Sequence, residues 1–302
     1  PGDTFWFAGR SLELIQIRGM DVLVKKSSAK RGKVPSWQGG RLQLSSQLSK
    51  ELREKIDLLS RGIYDDEELK KIKPLTDLQD ERSLVPAKNQ LLIEHFKTRE
   101  GYHLLIYPFE GRAVHQGMST LFAWRISQLL PISFTIAMND YGFELLSDKE
   151  IPFQEAINKG LFLEKNLTDH IQSSLNSVEM AKRQFRDIAA IAGLIFKGYP
   201  SKQKKIKNLQ SSSQLFFQVF QDYEPDNLLL LQAYEEVMTF QLEEARLRQA
   251  LQRIQQQEAM IMNPDRPTPF SFPILVDRLR ERLSSEQLKD RIEKMRLKLI
   301  RD

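Results

Sequence analysis

Two predicted β-hairpins flank one predicted helix in the middle of the chain, and that order restricts the fold more than any other feature. The run LLIEHFKTREGYHLLIYPF (Leu91–Phe109) reads as a hairpin turning near Glu100–Gly101. Arg112–Leu130 follows as a helix whose apolar stripe is Val114, Met118, Leu121, Phe122 and Leu129. ISFTIAMNDYGFELLS (Ile132–Ser147) reads as a second hairpin turning at Asn139–Asp140–Tyr141–Gly142. A strand-strand-helix-strand-strand unit implies a helix lying across an antiparallel sheet.

The flanks extend this to an α+β fold. Residues 4–44 alternate apolar and polar positions in short runs punctuated by Gly9, Gly19 and Gly32, as in a small antiparallel sheet or partial barrel. A helix over Ser45–Leu59, with Ser45 or Ser46 as cap, completes a β-rich module spanning 1–60. Residues 61–88 form a charged, helix-prone connector broken by Pro74 and Pro86, and 89–165 hold the ββαββ unit. Residues 166–302 are helical, with segments over Thr168–Ala192, Ser213–Tyr223, Asn227–Gln257 and Ser284–Ile300. Four prolines make Asn263–Pro273 a non-helical crossover.

The formal net charge is only +5, so its placement matters more than its size. Lys25, Lys26, Lys30, Arg31, Lys33 and Arg41 surround Trp37 in KKSSAKRGKVPSWQGGR, with no acidic residue between them. The Ser, Gly and Pro content reads as a solvent-facing loop. Cations beside one flat aromatic suit a polyanion that carries π-faces, as single-stranded nucleic acid does; a solvated turn with the indole folded inward fits the same composition. A second basic run, FKGYPSKQKKIK, holds Lys197, Lys202, Lys204, Lys205 and Lys207 and leads toward Ser211–Ser213, a candidate helix cap. Acidic residues gather elsewhere, at Asp65–Glu68, Asp80–Glu81 and Glu235–Glu244.

Several chemistries are missing from the residues. Without cysteine there is no disulfide, thiolate metal site or cysteine nucleophile, which suits a reducing compartment. No apolar run reaches the length of a membrane span. No glycine-rich loop precedes a Lys-Ser or Lys-Thr pair, so ATP cannot be placed on any residue of this chain. His95 and His103 could face each other across the first hairpin with His115 nearby, but the absence of cysteine and of a carboxylate at ligand spacing favours ordinary surface or core histidines over a metal site. Glu94, Glu100 and Glu110 lie near turns, where solvation explains them. The chain opens on PGDTFWFAGR without an initiator methionine, which reads as a piece of a longer protein.

YPFEGRAVHQG (Tyr107–Gly117) carries a sharper signal. Gly111 permits a tight turn into the helix, whose free N–H groups, with Arg112, make a natural phosphate site. Arg112, His115 and Ser119 share one flank of that helix. Ties from Arg112 and His115 to neighbouring carbonyls would explain the same residues.

Five segments together resemble one family: SWQGGRLQLSSQL, YPFEGRAVHQGMSTLFAWRI, MNDYGFELLS, QSSSQLFFQVFQDYEPDNLLLLQAYEEV and TPFSFPILVDRLRERLSSE. They are similar to the C-terminal, DEAD/H-associated region of bacterial Lhr-type DNA helicases, nearest to the DNA-ligase-associated DEXH-box subgroup. The resemblance implies a superfamily 2, ATP-dependent translocase that moves 3′ to 5′ on single-stranded DNA and unwinds duplexes, RNA:DNA hybrids included, in DNA repair. It places RecA-like motor domains, with their ATP and Mg²⁺, and a winged helix upstream, and leaves this region without a cofactor or chemistry of its own. A tryptophan in the family's equivalent of PSWQGGR stacks on a base of the tracking strand, and Trp37 holds that position. Ser36 stands where a phenylalanine or another residue usually precedes it. The surrounding cations, with Arg112 and His115, would hold the strand. Cytoplasmic, nucleoid-associated residence is implied, with no membrane partner. A base-processing domain akin to DNA glycosylases, or a docking module for a ligase or nuclease through Glu235–Glu244, are the alternatives.

Overall fold

The structure, a computed structural model, describes residues 2, 4–7, 10–18, 21–28, 43–196, 198–199, 202–203, 206–281 and 296. The chain divides into two compact units, Pro1–Leu42 and Gln43–Asp302. In the first, β1 (Thr4–Phe7), β2 (Arg10–Arg18) and β3 (Asp21–Lys26) form an antiparallel meander. The register slips between Leu14 and Gln16 of β2. Alternation in the sequence anticipates these strands.

The second unit begins with α1 (Ser46–Ser60) and α2 (Glu67–Arg82). Ser45 caps α1 by accepting from the Leu48 N–H, and Asp66 caps α2 through Leu69. Helix α2 continues through Pro74, where the sequence suggested a break. Then come β4 (Gln90–Thr98), β5 (Gly101–Ile106), α3 (Arg112–Ser127), β6 (Thr135–Met138) and β7 (Phe143–Ser147), the expected ββαββ unit. Its strands pair antiparallel in the order β4-β5-β7-β6.

Both faces of this sheet are covered, which a single crossing helix could not do. Leu91, Ile93, Leu104 and Leu145 meet Val114, Met118, Leu121 and Phe122 of α3 on one side. On the other, Leu92, Phe96, Leu105 and Tyr107 pack with Ile56 and Leu59 of α1 and Leu69 of α2. Helix α1 thus belongs to the second unit, although its sequence reads equally well as the end of the β-rich module. Two-sided burial also explains why LLI and LLS segments show no alternation.

The helical half comprises α4 (Phe153–Asn158), α5 (Leu167–Gln172), α6 (Leu175–Ile191), α7 (Ile206–Tyr223), α8 (Leu228–Glu236) and α9 (Glu244–Gln255). Two-residue strands β8 (Gly198–Tyr199) and β9 (Lys202–Gln203) pair between α6 and α7. Ser211–Ser213 lie inside α7 rather than capping it. The stretch Asn227–Gln257 is not one helix: a π-turn at Val237–Gln241 and Glu243, with φ of +45°, separate α8 from α9. After α9 the chain forms β10 (Glu258–Met262), which pairs parallel with β4 and makes the sheet five-stranded. Helix α10 (Ser271–Glu281) starts within the proline-rich crossover; Pro273 sits in its first turn, where a missing N–H breaks no helical bond.

Gly101 closes the β4–β5 turn at φ +137°, and a Cβ there would lie 2.2 Å from the Ser147 carbonyl oxygen of β7. Gly101→Ala is therefore expected to cost roughly 2–3 kcal/mol. Urea unfolding should show a lower midpoint with an unchanged slope; an unshifted midpoint would contradict the crowding described.

Candidate nucleic-acid interface

Of the residues expected to grip a strand, Trp37, Lys30, Arg31, Lys33 and Arg41 lie outside the described residues. Lys25 and Lys26 end β3 and are exposed. Lys25 sits opposite Glu13 in the register, with Nζ 2.9 Å from the carboxylate. An exposed pair of this kind contributes little to stability and leaves the lysine available to an anion. In the second basic run Lys202 falls in β9 and Lys207 in α7, while Lys197, Lys204 and Lys205 lie outside the described residues.

The turn into α3 is built as its sequence suggests. Gly111 adopts φ +90°, and a Cβ there would come within 3.0 Å of the Leu44 side chain. The Arg112 N–H donates to Asp140 at 3.1 Å and its guanidinium donates to the Met138 carbonyl. His115 is fully buried; Nε2 accepts from the Glu110 N–H at 3.1 Å and Nδ1 donates to the Asn139 carbonyl at 2.7 Å. Ser119 Oγ donates to the Gln116 carbonyl at 3.1 Å. These are ties between helix and loop, and they engage both nitrogens of the His115 ring. Burial lowers the His115 pKa to about 4; the Asn139 carbonyl opposes the shift, and the charges of Arg246 and Arg253 add to it.

Glu110 forms a centre that the sequence did not disclose. Its carboxylate takes Arg53 of α1 at 2.7 Å and Arg253 of α9 at 3.1 Å. Arg246 of α9 donates to the Glu110 carbonyl at 2.6 Å and to the Leu44 carbonyl at 3.0 Å, and pairs with Glu243. Arg53 also reaches the Phe109 carbonyl at 3.1 Å, and Arg253 that of Pro108 at 3.0 Å. Arg246 and Arg253 lie seven positions apart on one helical face, the one local clue in the sequence. A cleft of about 300 Å³ opens beside the three arginines. Arg253 is held below the usual guanidinium range by burial and by the positive charge of Arg53.

The other acidic and imidazole candidates serve the fold. Glu94 is buried, not solvated, and accepts from Gln79, Tyr107 and Thr268 at 3.0, 2.7 and 2.8 Å. Glu100 pairs with Arg278 of α10. His95 lies opposite Leu104 while His103 lies opposite Phe96, so the two imidazoles occupy different faces of the sheet. His103 bridges Glu144 at 2.5 Å and Thr98 at 2.6 Å. Among the described residues no group of three His, Asp or Glu is placed to hold a metal ion. A second cleft, about 400 Å³, is walled by Trp124 and His170, whose rings lie 4.4 Å apart. Arg125 fixes its rim by donating to the carbonyls of Leu161, Leu163 and Lys165.

Half-buried arginines from two helices thus converge on one buried carboxylate beside a sheet covered on both faces. Residues 85–271, more than half of the chain, match the family described as DEAD/H associated, and the chain belongs to that family. Residues 1–34 match the winged helix domain of large helicase-related proteins. That match lies within this chain, whereas the resemblance had placed a winged helix upstream of it. The chain is 25% identical to the ATP-dependent helicase Lhr-Core of Saccharolobus solfataricus and 24% identical to Lhr-Core protein 2 of Thermococcus barophilus, in each case over 99% of its own length. It spans 37% of each relative. The structure of Mycobacterium smegmatis helicase Lhr bound to ssDNA and AMP-PNP shares the fold, with a TM-score of 0.60 and 19% identity over 82% of this chain and 34% of that one.

A histidine with a depressed folded pKa contributes stability above its unfolded value near 6.5 that is lost as pH falls toward about 4. The urea midpoint should therefore drop across that window, and His115→Gln should flatten the drop relative to the parent. Parallel pH profiles for the two proteins would contradict the assignment.

Proposed function

We propose that this chain is an accessory, strand-engaging region of an ATP-dependent superfamily 2 DNA helicase, with hydrolysis performed by RecA-like domains outside it. The observation that carries the reading is the alignment of 99% of the chain with proteins named as ATP-dependent helicases. The structural neighbour, a helicase bound to ssDNA, points the same way. Single-stranded DNA is thus the proposed ligand, with 3′ to 5′ movement, RNA:DNA hybrids and a role in DNA repair as the finer expectations. A ligase or nuclease is the proposed protein partner.

In this reading Trp37 stacks on a base while Lys25, Lys26, Lys30, Arg31, Lys33 and Arg41 steer and hold phosphates. His115 is left out of the contact set because its ring is buried and bonded at both nitrogens. Stacking is worth about 1–3 kcal/mol per base and is indifferent to sequence, which suits a translocating contact. The lysines contribute a term that falls as salt rises.

Titration of the 302-residue chain with an oligothymidylate, followed by tryptophan quenching, tests this reading. Trp37→Ala should weaken binding roughly 5- to 150-fold, the equivalent of one lost stack. In the full helicase the same change should impair unwinding while leaving ATP hydrolysis largely intact. Unwinding at the parental rate would remove the stacking role.

A further inference from the structure

The cleft beside Glu110 holds more positive charge than its surroundings neutralise. Lys50 and Arg53 approach it from α1, and Arg246 and Arg253 from α9. Against these four cations stand the Glu110 carboxylate and Glu243, which pairs with Arg246. Two positive charges remain. Lys50 is exposed and has no carboxylate partner among the described residues. The Nε atoms of Arg246 and Arg253 are buried without an acceptor, so neither guanidinium is fully satisfied by the fold. The first turn of α1 borders the cleft and contains no acidic residue to offset the positive end of the helix.

The arginines cannot relieve this by moving apart. Arg53 is held by the Phe109 carbonyl, Arg246 by those of Leu44 and Glu110, and Arg253 by that of Pro108. Fixed guanidinium groups pre-arranged around a cleft of about 300 Å³ suit a tetrahedral oxyanion, which accepts paired N–H bonds from arginine and a point charge from lysine. We propose that this cleft binds a phosphate group, and that in the strand-engaging reading above, on which the ligand's identity rests, the group is a phosphodiester of the nucleic-acid backbone. The site would then be a second hold on the strand, separate in sequence from Lys25–Arg41 and insensitive to base identity.

Lys50→Glu and Gln249→Glu test this on opposite walls of the cleft. Both residues are exposed, and neither is part of the ties around Glu110. Anisotropy of a labelled oligothymidylate is followed across a salt series for the parent, both variants and Trp37→Ala. The cleft variants should bind about 3- to 10-fold more weakly at low salt and lower the log–log salt slope by about 0.7 for each phosphate released. Trp37→Ala should weaken binding while keeping the parental slope. In parallel, pyrophosphate should raise the melting temperature of the parent above that in chloride of equal ionic strength, and should not raise that of Lys50→Glu.

Strand affinities and slopes equal to the parent's in both variants would overturn the backbone assignment. If pyrophosphate still protects only the parent, the cleft takes a free phosphate group instead. Pyrophosphate protection with no strand binding by the parent would reject the strand-engaging reading itself. Equal melting behaviour of parent and Lys50→Glu in pyrophosphate, with unchanged slopes, would remove the site altogether.

Discussion

The Glu110 carboxylate ties the loop into α3 to two helices from distant parts of the chain. It sits between the end of β5 and the start of α3, and receives one arginine from α1 and another from α9. The adjoining carbonyls of Pro108, Phe109 and Glu110 each accept from one of the same guanidinium groups or from Arg246. A buried charge with good partners adds little net stability, yet stripping one partner away costs about 3–5 kcal/mol. Geometry is therefore what this arrangement enforces. The loop into α3 cannot shift without stranding a cation or a carboxylate, and the His115 ring, bonded to the Glu110 N–H, is locked by the same loop.

Glu94 plays the corresponding part on the other side of the sheet. It gathers Gln79 from α2, the Tyr107 hydroxyl and Thr268 from the crossover, and Gln79 in turn accepts from the Phe270 N–H. Thr268 and Ser271 then exchange hydrogen bonds at the start of α10. The proline-rich segment is thus seated on a buried carboxylate, which explains why TPFSFP forms a compact motif rather than a free linker. Burial and the nearby Glu94 charge push the Tyr107 hydroxyl well above its usual range, so it remains a donor throughout the physiological interval.

Local periodicity made the two hairpins, α3 and the N-terminal meander legible before any coordinates. Turn residues, the α3 stripe and the alternation of the meander are properties of a few neighbouring residues, and they survive even where two-sided burial erases alternation in the hairpin strands. Strand β10 escaped because EAMIM follows a long helical pattern and pairs with a strand far back in the chain. The division of α8 from α9 escaped for a related reason: a π-turn changes the hydrogen-bond ladder without a proline or glycine to announce it. At the site, the glycine and arginine of YPFEGRAVHQG were recognisable, but their partners were not. Burial of Glu110 depends on Arg53 and Arg253, which no spacing rule connects to it. The expectation that glutamates near turns are solvated holds for Glu100, which stays exposed beside Arg278, and fails for Glu94 and Glu110, which partners from distant elements bury. Trp37, the residue most clearly marked by composition and resemblance, belongs to a stretch outside the described residues.

The parallel pairing of β10 with β4 has a consequence for how this protein is made. Residues 258–262 lie beside 90–94, so one edge of β4 remains unpaired until the intervening helices have been synthesised. A nascent chain that has already emitted both hairpins carries an apolar edge with open backbone donors and acceptors, the kind of surface that recruits a neighbouring chain. Helices α4 to α9 are therefore a long insertion between two adjacent strands, and the unit cannot close until they are out of the ribosome. Slow, late closure of this kind predisposes the chain to aggregate when translation is truncated within that helical half, whatever the stability of the finished fold.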